Sequence, residues 1–130
     1  MSDSANPLPI GWLDLTVDDA DGTASFYQAV LGLARTPISM DGGYDDYVLH
    51  PAGKEGPACG VCHRRGTNAK LPAVWIPYFE VEALDAALEA ATAGGGKLID
   101  GPKSAGPGKK GATLTDPSGA TFAIIGPSGD

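Results

Sequence analysis

The sequence predicts an α+β fold built from two βαβββ modules, and two observations support this. Each half of the 130 residues shows the same order of a strand, a helix and three strands. When the sequence is shifted by 64 positions, Val17 falls on Val81, Asp21 on Asp85 and Gly32 on Gly96. A self-match at half length indicates a duplicated unit. One such module cannot bury its sheet alone, so residues 10–66 and 67–130 are predicted to form one domain. Residues 1–9 are predicted to be a disordered lead-in.

The first module is predicted from alternation and from helix-capping residues. Ile10–Val17 alternates with period two, as expected for a half-buried strand. Asp18 or Asp19 can cap a helix over residues 20–31, and Gly32 can end it. Three strands bounded by glycine and proline turns follow, at residues 33–39, 44–51 and 58–63.

The second module repeats this pattern after a polar connector at residues 64–72. A strand over residues 73–81 leads into a helix over residues 82–93, which a triple glycine ends. A loop rich in glycine, proline and lysine is predicted over residues 101–111, and a tight turn at Asp116–Gly119. The remaining predicted strands cover residues 97–100, 112–115 and 120–125.

Composition and charge exclude several classes of partner. The chain has 9 basic and 16 acidic residues and a net charge of −7, which does not suit a general nucleic-acid binder or an anionic membrane. It contains no run of about 18 apolar residues, so no transmembrane helix is expected. The beginning, MSDSANPLPIGW, lacks the features of a secretory signal. We therefore expect a cytoplasmic protein with Cys59 and Cys62 reduced.

Three sequence segments resemble the vicinal oxygen chelate superfamily, which includes glyoxalase I, bleomycin-resistance proteins and extradiol dioxygenases. They are VDDADGTASFYQAVLGL, YFEVEALDAAL and TDPSGATFAII. The stretch CHRRGTN, followed by Leu-Pro and a Trp-led strand, is similar to one bacterial subgroup. The resemblance implies a cupped, mostly antiparallel sheet with its helices outside. It also implies a homodimer and a small-molecule ligand in the cup.

The resemblance places the family's metal ligands at positions that cannot serve here. The first-strand ligand falls on Trp12, the fifth-strand ligand on Ile76 and the eighth-strand ligand on Ala123. The fourth-strand ligand falls on Gly60 or, by the repeat, on Cys59. The side chains of Trp12, Ile76, Ala123 and Gly60 do not bind divalent cations. We therefore expect no metal cofactor, with a displaced site formed by Asp14, Glu80 and His63 as the alternative.

The face of the cup carries the candidate ligand-binding residues. Alternation places Trp12, Asp14 and Thr16 on it in the first module and Ile76, Tyr78 and Glu80 in the second. Indole, phenol and carboxylate groups suit a polar or cationic small molecule. In the alternative interpretation, Trp12 fills the cup and the acids are ordinary strand residues. The further candidates for this surface are Tyr47, Cys62, His63, Arg65 and Ala123.

The segment Cys59–His63 matches C-x-x-C-H, but haem attachment requires an exported chain, which we do not expect. Cys62 is a candidate nucleophile if it faces the cup; the alternative is a buried, inert thiol. Neighbouring strand residues point apart, so Cys62 and His63 do not form a ready dyad. Arg65 and Asn68 can hold a carboxylate or carbonyl at the rim, or can simply fix the connector.

Three function classes remain open from the sequence. The first is a binding protein of the bleomycin-resistance type. The second is a lyase or isomerase of a small metabolite that uses Asp14 or Glu80 as a base, with Tyr78 as a hydrogen-bond donor. A metal-dependent lyase or dioxygenase with displaced ligands is a variant of this class. The third is a scaffold that acts through protein partners.

Overall fold

The structure, a computed structural model, describes residues 10–53 and 58–127. The predicted lead-in at residues 1–9 lies outside the described residues. Two α-helices and eight strands occur in the order β1-α1-β2-β3-β4-β5-α2-β6-β7-β8, which confirms the predicted α+β class. A short 3-10 helix, Gly66–Asn68, lies between β4 and β5. Their bounds are β1 Ile10–Val17, α1 Ala20–Leu31, β2 Leu33–Met40, β3 Tyr44–Pro51, β4 Cys59–His63, β5 Trp75–Glu80, α2 Leu84–Ala93, β6 Lys97–Ser104, β7 Lys109–Thr115 and β8 Thr121–Pro127.

The start and end of α1 follow from its local sequence. The Asp19 carboxylate accepts a hydrogen bond from the backbone N–H of Gly22 at 3.0 Å, which satisfies one unpaired donor of the first turn. Gly32 ends the helix in the left-handed conformation, with φ of 70°, which costs a glycine little. Both ends lie where the sequence predicts them.

The chain divides into two compact units, and the first comprises Trp12–Ile76. Its strands are ordered β2-β3-β4-β1, with β1 and β4 parallel and the other two pairs antiparallel. Helix α1 covers one face of this sheet, where Ala20 and Ala24 pack against Tyr47, Leu49 and Val61. The opposite face of the sheet carries the residues of functional interest.

The second unit comprises the described residues before Trp12 and after Ile76. Its strands are ordered β5-β8-β7-β6, again with one parallel pair, β5 and β8, and two antiparallel pairs. Its core is formed by Leu84 of α2 with Ala112, Leu114 and Ile124. The two units therefore repeat one topology, as the sequence predicts.

The predicted loop at residues 101–111 is wrong for most of its length. Strand β6 continues to Ser104 and β7 begins at Lys109, with Lys103 opposite Gly111 and Ser104 opposite Lys110. The glycines and lysines indicated a loop, but pairing with β7 extends β6 through a register irregularity. Only residues 105–108 connect the two strands.

Within the described residues, neither helix is long and apolar enough to span a membrane.

Candidate functional site

Asp14 is the central group on the face of the first unit that α1 does not cover. Its Oδ1 accepts hydrogen bonds from the Trp12 indole Nε1–H at 2.9 Å and from the Cys62 thiol at 3.6 Å. Burial raises the pKa of Asp14 above its ordinary value, and these two donors oppose that shift. The described residues provide no lysine, arginine or histidine that pairs with this carboxyl. Asp14 is thus a largely buried acid without a cationic partner in the described part of the chain.

The Cys62 thiol lies between two carboxyl groups. Asp46 is only 5% exposed. Burial raises the pKa of Cys62 far above its ordinary value, and the nearby charges of Asp14 and Asp46 raise it further. A nucleophilic cysteine needs the opposite surroundings, since it is the thiolate that reacts. This geometry therefore favours Cys62 as a hydrogen-bond donor to Asp14 and opposes its predicted role as a nucleophile.

Thr16 completes this group from the next position of β1 on the same face as Asp14. It is 1% exposed, and its Oγ1 has no hydrogen-bond partner among the described residues. The hydroxyl lowers the pKa of Asp14, so it lies near that carboxyl, although the two groups do not form a well-aligned hydrogen bond. We call Trp12, Asp14, Thr16, Asp46 and Cys62 the Asp14 cluster.

Gly60 provides the space in which the Asp14 carboxyl lies. It is buried and stands opposite Asp14 in the parallel pairing of β1 with β4. A Cβ at this position would overlap Asp14 Oδ1 and lie 3.2 Å from Trp12 Nε1. Gly60, rather than Cys59, shares the face of Trp12, because Cys59 packs into the core under α1.

Tyr47, a predicted ligand-binding residue, lies on the other face of the sheet. It belongs to the core under α1, where its hydroxyl donates a hydrogen bond to Asp21 and the Arg35 guanidinium lies over its ring. The Asp21 hydrogen bond raises the pKa of Tyr47. The structure thus separates Tyr47 from the Asp14 cluster.

His63 and Arg65 follow Cys62 at the end of β4. The His63 backbone N–H donates to Asp46 Oδ1 at 2.8 Å, and its ring Nδ1–H donates to the Asp45 carbonyl at the same distance. Its ring also packs edge-to-face against Tyr44 at 5.4 Å. The Arg65 guanidinium lies over the same Tyr44 ring, with its Cζ 4.2 Å from the ring centroid.

The second-module candidates are distributed differently. Ile76 is fully buried in the first unit, whereas Tyr78 stands opposite the buried Ala123 in the second. Glu80 is exposed, and a Cβ at Gly11 would lie 2.7 Å from its Oε2. Glu80 also lines a cleft of about 670 Å³ in the second unit, together with Val81, Glu82, Pro107, Gly108, Lys109, Ile125, Gly126 and Pro127.

The residues at the four positions that the resemblance assigns to metal ligands do not fit a metal ion. Indole, hydrogen, sec-butyl and methyl side chains stand at Trp12, Gly60, Ile76 and Ala123, and none of them offers a ligand atom. Across residues 10–53 and 58–127, no three His, Cys, Asp or Glu side chains form a cluster that could hold a metal ion.

Comparison with known proteins gives a family match over most of the chain. Residues 9–124 match the model of the Glyoxalase/Bleomycin resistance protein/Dioxygenase superfamily. The putative glyoxylase CFP32 of Mycobacterium tuberculosis is 32% identical over 117 residues, which cover 90% of this chain and 43% of that protein. The anthracycline biosynthesis protein DnrV of Streptomyces peucetius is 32% identical over 119 residues, covering 92% and 42%. The chain thus spans less than half the length of these relatives.

Solved structures share the fold at low sequence identity. Methylmalonyl-CoA epimerase from Mycobacterium tuberculosis is 19% identical with a TM-score of 0.58, over 95% of this chain and 92% of that one. A glyoxalase/bleomycin resistance protein/dioxygenase superfamily member from Vibrio splendidus is 17% identical with a TM-score of 0.59, over 88% and 96%. These likenesses confirm the predicted fold.

Proposed function

Because the chain belongs to the glyoxalase/bleomycin resistance protein/dioxygenase superfamily, we propose that it binds a small cationic or hydrogen-bond-donating molecule at the Asp14 cluster. The observation that carries this proposal is the Asp14 carboxyl, which is mostly buried and has no cationic partner among the described residues. Its two hydrogen bonds both reach Oδ1. We therefore assign Oδ2, which accepts no hydrogen bond given for the described residues, as the oxygen that receives the ligand's donor group.

The energetics of a buried acid favour a ligand with a donor group. A carboxylate removed from water is costly unless it is paired, and without a partner it takes up a proton instead. Asp46 adds a second carboxyl, whose charge opposes ionisation of Asp14. A primary ammonium or amidinium group at Oδ2 would stabilise the ionised form and offset both effects. The net charge of −7 also attracts a cationic ligand.

We further infer that this binding uses no metal at the family's usual positions. Trp12 occupies the first-strand ligand position and donates its N–H to Asp14. Gly60 occupies the fourth-strand position and makes room for the same carboxyl. Two positions that the resemblance assigns to metal ligands thus support a carboxyl acceptor here. The hydrocarbon side chains of Ile76 and Ala123 offer no metal ligand, in agreement with that inference.

Binding of benzylamine tests the proposal, with benzyl alcohol as the neutral probe of the same size. The Trp12 indole N–H signal in ¹H–¹⁵N NMR, assigned with Trp12→Phe, reports directly on Asp14. We expect benzylamine to shift this signal, Asp14→Asn to weaken binding at least tenfold, and benzyl alcohol to bind poorly. Asp41→Asn removes one exposed carboxylate from the same unit and should change nothing. Equal binding of both probes, or unchanged binding to Asp14→Asn, would refute the proposal.

A second candidate is an isomerase or lyase that uses Asp14 as a general base. The raised pKa of Asp14, together with a carboxylate oxygen not bonded within the described residues, favours proton abstraction. Exposed Glu80 is the weaker candidate for this role. The test is deuterium incorporation at the α-carbon of methylmalonyl-CoA in D₂O, which should require Asp14 and survive in Glu80→Gln. Exchange at the uncatalysed rate would remove this candidate for that substrate class.

We also propose that the chain forms a homodimer. Its relatives are more than twice as long as the segment they share with it, so their length leaves room for a second copy of this domain. Light scattering coupled to size exclusion should give about twice 13.2 kDa at micromolar concentration. A mass of one chain at that concentration would contradict the proposal.

A further inference from the structure

A stack of Arg65 on Tyr44 lies beside the end of β4 and is not used in the proposed binding at Asp14. The Arg65 Cζ is 4.2 Å from the Tyr44 ring centroid, and the same ring packs edge-to-face against His63. The chain turns immediately after Arg65 at Gly66, with φ of 59°, where a Cβ would lie 3.3 Å from the Tyr44 hydroxyl. The ring is thus held from the strand end, and the guanidinium lies over it.

The N–H groups of this guanidinium have no partner within the described residues. Carboxylates there pair with His63, Arg64 and Lys103, and none pairs with Arg65 although the chain is acidic. Nor does a hydrogen bond to another described residue use the Arg65 side chain, which is exposed. An aromatic ring therefore contacts the guanidinium of an exposed arginine whose donors have no partner among the described residues.

Arg35, in the same unit, also lies over an aromatic ring, but its hydrogen bonds give it a structural role. Its Cζ lies 4.5 Å from the Tyr47 ring centroid, a similar stack. However, its Nε donates to Gln28 at 2.7 Å, and its second amino group donates to Ser25 at 2.7 Å and to a backbone carbonyl of α1. The donors of Arg35 are used to hold α1 on the sheet, whereas those of Arg65 remain available.

We propose that the Arg65–Tyr44 stack is a binding site for an anionic oxygen group, either a carboxylate or a phosphate ester. A planar guanidinium offers two parallel N–H donors that match two oxygens of such a group. Stacking fixes that plane before binding, so less side-chain freedom is lost when the anion arrives. The Tyr44 hydroxyl is a further donor at the same ring. This site is independent of the binding proposed at Asp14.

The experiment is an NMR titration of the Arg65 Nε–Hε signal, assigned with Arg65→Lys, at constant ionic strength. Methyl phosphate, acetate and sodium chloride are the probes, and the Arg35 signal is the internal reference. We expect at least one of the two oxyanions to shift Arg65 saturably and Arg35 not at all. Tighter binding of methyl phosphate identifies a phosphate ester as the ligand group, and tighter binding of acetate identifies a carboxylate.

Variants separate recognition by the two parallel N–H donors of the Arg65 guanidinium from attraction to any positive charge. Binding of the preferred anion should weaken at least tenfold in Arg65→Gln and at least fivefold in Arg65→Lys, which retains the charge. Lys70→Gln removes an exposed cation from the same connector and should change the affinity less than twofold. Shifts no larger than those with chloride would overturn the proposal. Equal losses in Arg65→Gln and Lys70→Gln would overturn it as well, and neither result would affect the proposal at Asp14.

Discussion

Gly60→Ala is the sharpest test of how the Asp14 cluster is built. The added methyl group would overlap Asp14 Oδ1 and would lie 3.3 Å from Asp14 Cγ and 3.2 Å from Trp12 Nε1. Real Cβ atoms essentially never approach a heavy atom closer than 3.0 Å, so something must move. Either the carboxyl leaves its position between Trp12 and Cys62, or β1 and β4 separate.

The two responses have similar costs. If the carboxyl moves, it loses its hydrogen bonds from Trp12 and Cys62, each worth about 1 kcal/mol. If the strands separate, forcing a methyl group into a packed site costs about 1–3 kcal/mol. We therefore expect a loss of about 1–3 kcal/mol in the free energy of unfolding. For a domain of this size, that lowers Tm by about 4 °C for each kcal/mol.

Thermal unfolding and the NMR signal of the Trp12 indole N–H measure the outcome together. Gly111→Ala is the matched control, because Gly111 is also a buried strand glycine but its Cβ would meet other atoms only at 3.4 Å or beyond. We expect Gly60→Ala to lower Tm, move the Trp12 signal and abolish benzylamine binding, and Gly111→Ala to do little. A Gly60→Ala protein with wild-type Tm and an unmoved Trp12 signal would refute this account of the cluster.

Three further predictions concern the titration of Asp14, Cys62 and Asp116. Because the folded pKa of Asp14 is raised, wild-type stability should fall as the pH rises from 3.8 to that pKa, by about 1.4 kcal/mol for each pH unit between the two values. The free energy of unfolding of Asp14→Asn, measured with urea, should lack this dependence on pH. The variant should then be more stable than wild type at pH 7 but not below pH 3.8. The same pH dependence in both proteins would contradict this prediction. Native Cys62 should resist iodoacetamide at pH 8, at least tenfold more than a free cysteine by mass spectrometry, and rapid alkylation would show that its flanking carboxyls do not suppress the thiolate. Asp116 accepts hydrogen bonds from Ser118 and from the backbone of Ala120, and these lower its pKa. Asp116→Ala should therefore reduce Tm at pH 7, and the difference in Tm between wild type and variant should vanish as the pH falls through that pKa. A difference in Tm that stays constant with pH would exclude a role for the charge.

Local chemistry explains why the sequence predicted so much of the first unit. Asp19 and Gly32 fix the two ends of α1 through groups within a few residues of each end, so no tertiary information is needed. The alternation of β1 likewise places Trp12 and Asp14 on one face, and the hydrogen bond between their side chains agrees with that placement. The opposite orientations predicted for Cys59 and Cys62 follow from the same period of two.

Features that depend on strand pairing were not predictable in this way. The sequence predicts Tyr47 among the ligand-binding residues, because nothing local in β3 tells which of its faces α1 covers. Residues 101–104 were assigned to a loop from their composition, but their pairing with β7 makes them a strand. The stack of Arg65 on Tyr44 joins residues from a connector and a hairpin, and its only sequence signal is an arginine after a strand end. Register decides all three cases, and register is set by partners distant in the sequence.

In the proposed function, the position that the resemblance assigns to the first-strand metal ligand takes part in a different kind of recognition. A histidine ligand at position 12 would have to turn its nitrogen lone pair toward a cation, whereas Trp12 can only donate, and it donates to Asp14. Gly60 removes the side chain that would otherwise fill the space of that carboxyl. The proposed site therefore takes its negative group from the protein and its positive group from the ligand. In this proposal, a cationic ligand takes the electrostatic role that the resemblance assigns to a metal ion.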